Sequence, residues 1–251
     1  MESNELKPGW QQVLIDSHPC QVFLPSTPNE HQFSLLYLHD GDAATPDQMP
    51  ALSSLLEQHD LPCVAPITGH SWWADRIVAG FDSEITPERF VRTSVMDWIL
   101  DRLNSKPTEV ALLGVGMGGQ GALRISYKYP DQFPVVAAVA PDLDYHFHIR
   151  SGNEVLYALY GDTESARQDT AILHIHPLNW PRHQFYCADP NDFHTFEGAD
   201  RLRMKMASTG IMFEVDIETT AKPGENYDDT MMPVAMDFVR ERLKKEWLRV
   251  V

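Results

Sequence analysis

Five glycines fall between Gly114 and Gly121, and their spacing points to one kind of chemistry. Gly114-Val115-Gly116-Met117-Gly118 matches the frame Gly-x-Ser-x-Gly. In that frame a serine at the tip of a strained strand-to-helix turn attacks a carbonyl carbon. Position 116 carries glycine where the frame has serine. Serine acyl transfer needs a hydroxyl that attacks and an imidazole that takes its proton. Without a member of that set, only about 10³–10⁴-fold catalysis over water remains, from the oxyanion hole and binding. Glycine does suit the backbone there, because a strained turn costs a residue bearing a Cβ on the order of 1–3 kcal/mol.

Other reactive side chains are weaker signals. His146 and His148 form one His-x-His, and His174 and His176 another. On a strand this spacing puts both imidazoles on one face, which suits a metal, and Asp142 and Asp144 stand nearby. Such residues serve as hydrogen-bonding core groups more often than as ligands, so no metal and no cofactor are expected. Trp72 and Trp73, with Arg76, either line a pocket for a planar or anionic ligand or anchor their loop as buried aromatics. Ser71 lies in Gly-His-Ser-Trp-Trp without the turn glycines and reads as structural. Cys187 reads as a buried, inert thiol.

The elements that must hold this turn are legible as an alternation. Val110 to Leu113 is an apolar run suited to a buried strand, and Met117 to Tyr129 follows as a helix. Trp10 to Ile15 and Cys20 to Leu24 form a hairpin around Asp16-Ser17-His18-Pro19. Phe33 to Leu38, Pro62 to Ile67, Val135 to Val139, Gln184 to Ala188 and Phe213 to Glu218 read as further strands. Helices are expected over Asp47 to Gln58, from a Thr86 cap and Pro87 to about Leu103, over Ala199 to Ser208, and over Met231 to Leu248. Residues 141–181 are mixed and predict a cap-like insertion. The alternation predicts a mostly parallel sheet with helices on both faces, in a single domain over residues 1–251.

Composition narrows the function classes. The 251 residues carry a formal net charge of −16, which argues against nucleic acid and against anionic membrane surfaces. Three widely spaced cysteines (Cys20, Cys63 and Cys187) suit a reducing compartment better than a disulfide framework. The first residues show no basic region followed by an apolar one, and no apolar run approaches a membrane span, so a cytoplasmic location is expected.

Taken together, these features resemble the α/β-hydrolases, in particular the esterase-D and S-formylglutathione-hydrolase branch. His39-Asp40-Gly41 is similar to that family's oxyanion loop. Gly114 to Leu123 is similar to its nucleophile elbow, Gly-x-Ser-Met-Gly-Gly-x-Gly-Ala-Leu, except at Gly116. Asp192, with Asp189 as the alternative, falls where the family carries its triad acid. Pro223-Gly224-Glu225-Asn226-Tyr227 falls where it carries Gly-Gly-His and an aromatic, so Glu225, or Asn226 if the loop shifts by one, replaces the histidine.

The resemblance implies an α/β-hydrolase fold with a small cap and oxyanion amides at Met117 and near Gly41 or Asp42. It also implies a pocket for an ester-like or carboxylate ligand. The first reading is an esterase homologue without serine-hydrolase activity. The alternative is an active carboxylesterase- or thioesterase-class hydrolase working through a metal or an activated water. A structural role as a homo-oligomer is the third.

Overall fold

The computed structural model describes residues 6–27, 29–41 and 45–250. Residues 1–5, 28, 42–44 and 251 lie outside the described residues, and Asp42, one of the expected amide donors, is among them.

The chain opens on a hairpin of β1 (Gly9–Ile15) and β2 (His18–Leu24). Its turn is only Asp16 and Ser17, with φ of 44° and 69°. Two consecutive positive φ values are what a two-residue hairpin turn of matching twist requires. His18 and Pro19 therefore belong to the strand, with His18 opposite Ile15. The remaining strands are β3 (Ser34–Leu38), β4 (Cys63–Pro66), β5 (Val110–Val115), β6 (Val135–Val139), β7 (His183–Cys187) and β8 (Glu214–Asp216). They form an eight-stranded sheet in the order β1-β2-β4-β3-β5-β6-β7-β8. The β1–β2 and β2–β4 pairs are antiparallel, and every other pair is parallel.

Alternation along the central strands divides the core between two faces. Leu36, Leu38, Leu112, Val136 and Ala138 pack on one side with Ala122, Leu123 and Ile125 of α4 (Met117–Lys128). Leu35, Tyr37, Ala111, Leu113, Val135 and Ala137 pack on the other side. There they meet Leu52 and Leu56 of α1 (Pro50–Gln58) and Met232, Ala235 and Met236 of α9 (Tyr227–Val250). Both faces of β3, β5 and β6 are covered, so these three parallel strands are buried throughout.

Several boundaries differ from the sequence reading for local reasons. The helix expected from Asp47 is a 3-10 turn over Pro46–Gln48, and α1 starts afresh at Pro50. Pro50 has no N–H to donate and biases Met49 away from helical backbone. The helix capped by Thr86 runs as α2 (Pro87–Phe90), a π-helical stretch (Val91–Val95) and α3 (Met96–Arg102).

The insertion over 141–181 holds α5 (Tyr145–Arg150), α6 (Glu154–Tyr160) and α7 (Thr163–Gln168). The His-x-His at 146 and 148 thus lies on a helix, where residues two apart point in different directions. The shared-face argument made for a strand does not hold there. α8 spans Phe193–Thr209, beginning six residues before the expected Ala199, because Asp192 caps its first turn by accepting the His194 N–H at 3.1 Å.

Candidate functional site

β5 delivers the chain to Gly116 and α4 leaves from Met117, so the glycine frame forms the expected strand–turn–helix. Gly116 has φ +54° and ψ −118°. Its N–H donates to Val139 O at 3.1 Å, and its carbonyl accepts from Gln120 N–H and Asp142 N–H at 3.0 Å each. The turn is therefore tied to β6, to α4 and to the loop after β6. Gly118 allows the close packing: a Cβ there would lie 1.9 Å from Leu38 O, at the end of β3.

The space over Gly116 belongs to Asp40. A Cβ on residue 116 would lie 2.7 Å from Asp40 Oδ1 and 2.8 Å from its Cγ. The same Oδ1 accepts the Met117 N–H at 2.9 Å. Met117 was expected to offer a free amide to a ligand, and here that amide is already bonded to a carboxylate. His39 holds the backbone that presents Asp40. Its Nδ1–H donates to Asp40 O at 2.7 Å, and its Nε2 accepts the Thr68 N–H at 3.1 Å. Burial pushes the His39 imidazole below its ordinary pKa, which matches this neutral tautomer.

Two further carboxylates surround the turn. Asp142 is joined to Gly116 O through its own N–H. Asp228, in the first turn of α9, has its carboxyl pushed up to about 6, by burial first and then by Asp40, Asp229 and Asp142. Facing Asp142 are two imidazoles. Asp142, His148 and His194 place one donor atom each within 4.8 Å of one another. They come from the loop after β6, from α5 and from the first turn of α8.

The other expected site residues lie as follows. Asp192 is exposed, and its carboxylate accepts from His194 N–H and Thr195 Oγ1–H, an N-cap arrangement. Asp189 accepts the Asn191 N–H at 2.8 Å. Glu225 is exposed and pairs with Lys222 at 3.8 Å. Asn226 accepts the Asp228 N–H at 2.8 Å ahead of α9. Gly41 packs so tightly on His70 that a Cβ would lie 2.6 Å from the ring.

Trp72 and Trp73 are buried, both at positive φ. Trp73 Nε1 donates to His39 O at 3.1 Å, and Trp72 O accepts from Tyr145 at 3.1 Å. The Trp73 indole and the Trp72 backbone thus tie the loop to the residues around it. A cavity of about 520 Å³ does open beside that loop, between Ile77 and Val78 on one side and Val155, Ala158 and Leu159 of α6 on the other, with His70 at its edge. Cys187 is buried and its thiol is pushed up to about 12 by burial, so it stays protonated.

Neither the position of Asp40 nor the meeting of Asp142, His148 and His194 could be read from the sequence. The first had one indirect signal, since the side chain missing at 116 leaves a gap that a close-packed interior fills. The second had none, because the three residues are separated by an insertion of undetermined path.

A family model described as "Putative esterase" matches residues 12–187. The chain belongs to this esterase family. The matched region includes Asp40, the turn at Gly116 and β7, and it ends at Cys187, before Asp192 and Glu225. No match is found among curated proteins.

Solved structures share the fold at low identity. Mycobacterium tuberculosis MPT51 (FbpC1) is 15% identical with a TM-score of 0.75, covering 94% of this chain and 100% of that one. The fluorophosphonate-binding serine hydrolase FphF of Staphylococcus aureus is 15% identical with a TM-score of 0.71, covering 93% and 99%. An S-formylglutathione hydrolase from Agrobacterium tumefaciens is 16% identical with a TM-score of 0.63, covering 93% and 94%. Among the described residues of this esterase-family chain, no helix is long and apolar enough to cross a membrane.

Proposed function

We propose that this chain is an esterase-family homologue that handles an ester-like or carboxylate ligand without serine acylation. The observation that carries this reading is the Asp40 carboxylate, which lies where a residue-116 side chain would begin and bonds the Met117 amide. In the fold the turn at Gly116 corresponds to the nucleophile elbow, and the Met117 N–H to an oxyanion donor. A carboxylate held there resembles the product of ester hydrolysis, so the pocket carries an internal mimic of its own ligand class. An acyl ligand would displace Asp40 and run toward the apolar cavity beyond His70 and Gly41.

A fluorophosphonate probe tests the absence of a serine nucleophile. The expected result is no covalent label and no burst with short p-nitrophenyl esters. A stoichiometric label on any serine overturns the reading.

A second reading has its own observation. Asp142, His148 and His194 converge one hydrogen bond from the turn. That arrangement supports a hydrolase of the carboxylesterase or thioesterase class in which water, not serine, attacks. Steady turnover of p-nitrophenyl or thioester substrates without covalent labelling is the outcome that selects it over a binding pocket.

A further inference from the structure

We infer that Asp142, His148 and His194 form a binding site for a divalent transition-metal ion of the zinc type. The inference deepens the second reading above, since it names what would activate the water. Two imidazoles and one carboxylate are a donor set that zinc takes in catalytic sites, where three protein ligands leave a fourth position open.

The geometry carries the assignment. Asp142 Oδ1 and His148 Nε2 stand 3.4 Å apart. Two ligands of a tetrahedral ion with bonds of about 2.0–2.1 Å are separated by roughly 3.3 Å. His148 Nε2 is shielded from solvent and makes no hydrogen bond, its 3.4 Å approach to Asp142 being an ion-pair contact only. A buried donor or acceptor without a partner is costly, and an ion between it and Asp142 would satisfy it. All three donor atoms lie within 4.8 Å, so the widest edge needs to close by at most about 1.5 Å.

His194 can make that movement. It sits partly exposed in the first turn of α8, held by an edge contact with Phe147 at 4.0 Å between ring centres. The His148 ring also packs against Trp72, 4.8 Å between centres.

The place matters as much as the donors. Asp142 N–H binds Gly116 O at 3.0 Å, so a residue that would hold the ion is joined directly to the turn at Gly116. Zinc lowers the pKa of a bound water to about 7. In hydrolysis that water gives a proton to solvent, and the hydroxide oxygen bonds to the acyl carbon. The bond from that carbon to the leaving oxygen or sulfur breaks. The leaving group takes a proton from solvent, the new acid gives its hydroxyl proton to solvent and leaves as the carboxylate, and a fresh water fills the open position. No oxidant or reductant enters.

The test uses the full chain stripped with chelator and then titrated with Zn²⁺ alone by calorimetry, with Co²⁺ as a spectroscopic substitute. One ion per chain and the intense visible bands of four-coordinate cobalt are expected. His148→Ala and His194→Ala should each weaken binding by more than the roughly 10–100-fold typical of outer-sphere partners. His174→Ala, in the other His-x-His, should leave binding unchanged. His148→Gln and Asp142→Asn provide milder variants, with denaturant unfolding in chelator to confirm the fold. Absence of saturable binding, or binding untouched in both His148→Ala and His194→Ala, overturns the site. Zinc binding without ester turnover keeps the site and removes the hydrolase reading; turnover in excess chelator without zinc binding does the reverse.

Discussion

The carboxylate of Asp40 accepts the Met117 N–H at 2.9 Å, over the glycine whose Cβ it would exclude. The chain just after strand β3 is thus linked to the backbone amide that opens helix α4. The amide at the start of α4 is a natural anion site, because unpaired N–H groups and the helix dipole both favour negative charge there. In this chain that site is occupied from within.

Placing a serine at position 116 should therefore cost stability without giving activity. Gly116→Ser places a Cβ at φ +54° and against Asp40, so denaturant unfolding should show a loss of about 1–3 kcal/mol. Turnover of p-nitrophenyl acetate should stay at background. Adding Asp40→Ala should return part of the stability, since the clash is removed. Strong turnover in the single variant would mean that an imidazole serves residue 116 after all.

Removing the internal carboxylate should open the pocket. In Asp40→Ala the Met117 N–H has no protein acceptor, and a ligand carboxylate can take its place. A hydrogen bond to a charged group contributes about 1.5–3 kcal/mol. Binding of a short-chain carboxylate, followed by calorimetry or NMR, should tighten by roughly tenfold to a hundredfold. Equal affinity in the parent chain and the variant would count against Asp40 as an occupant of the ligand site.

Asp228 should make the chain less stable as pH rises. Its carboxyl is pushed up to about 6 in the folded chain, by burial first and then by Asp40, Asp229 and Asp142. The unfolded carboxyl titrates near 3.9. A raised acid favours the folded state fully below the unfolded value, and that contribution is lost as pH climbs through about 6. Asp228→Asn should leave stability at pH 4 nearly unchanged and raise it at pH 8 by on the order of 1–2 kcal/mol. Unfolding curves in chelator at both pH values decide it, and a variant less stable than the parent at pH 8 would show that Asp228 is held by favourable contacts.

A buried ion cluster under the cap should be intolerant of truncation. Arg124 is buried and pairs with Glu88 and, at 2.7 Å, with Asp169. Asp169 also receives Tyr160 Oη–H at 2.7 Å and faces His174 Nε2 at 2.9 Å. Burial alone would raise the Asp169 carboxyl, but His174, Arg124 and Tyr160 together hold it below its ordinary range. Arg124→Ala leaves two carboxylates without their cation, and a loss of about 3–5 kcal/mol is expected in equilibrium unfolding. A loss under about 1 kcal/mol would show that Lys128, 2.7 Å from Glu88, compensates.

Much of this molecule was already written in its sequence. The run Val110 to Leu113, the five glycines and the Met117 helix specify a strand, a tight turn and a close-packed helix, because each depends on residues adjacent in the chain. The alternation of apolar runs gave the parallel sheet. Boundaries at Pro50 and Phe193 were missed where a proline or a capping aspartate outweighed periodicity.

What fills the turn was decided elsewhere. Asp40 reaches Met117 across a separation of 77 residues, and His148 meets Asp142 and His194 only because α5, the loop after β6 and the first turn of α8 come together. Contacts of that range depend on how elements pack. A side chain's type states what it can bind, but only the packed chain states what stands within reach of it.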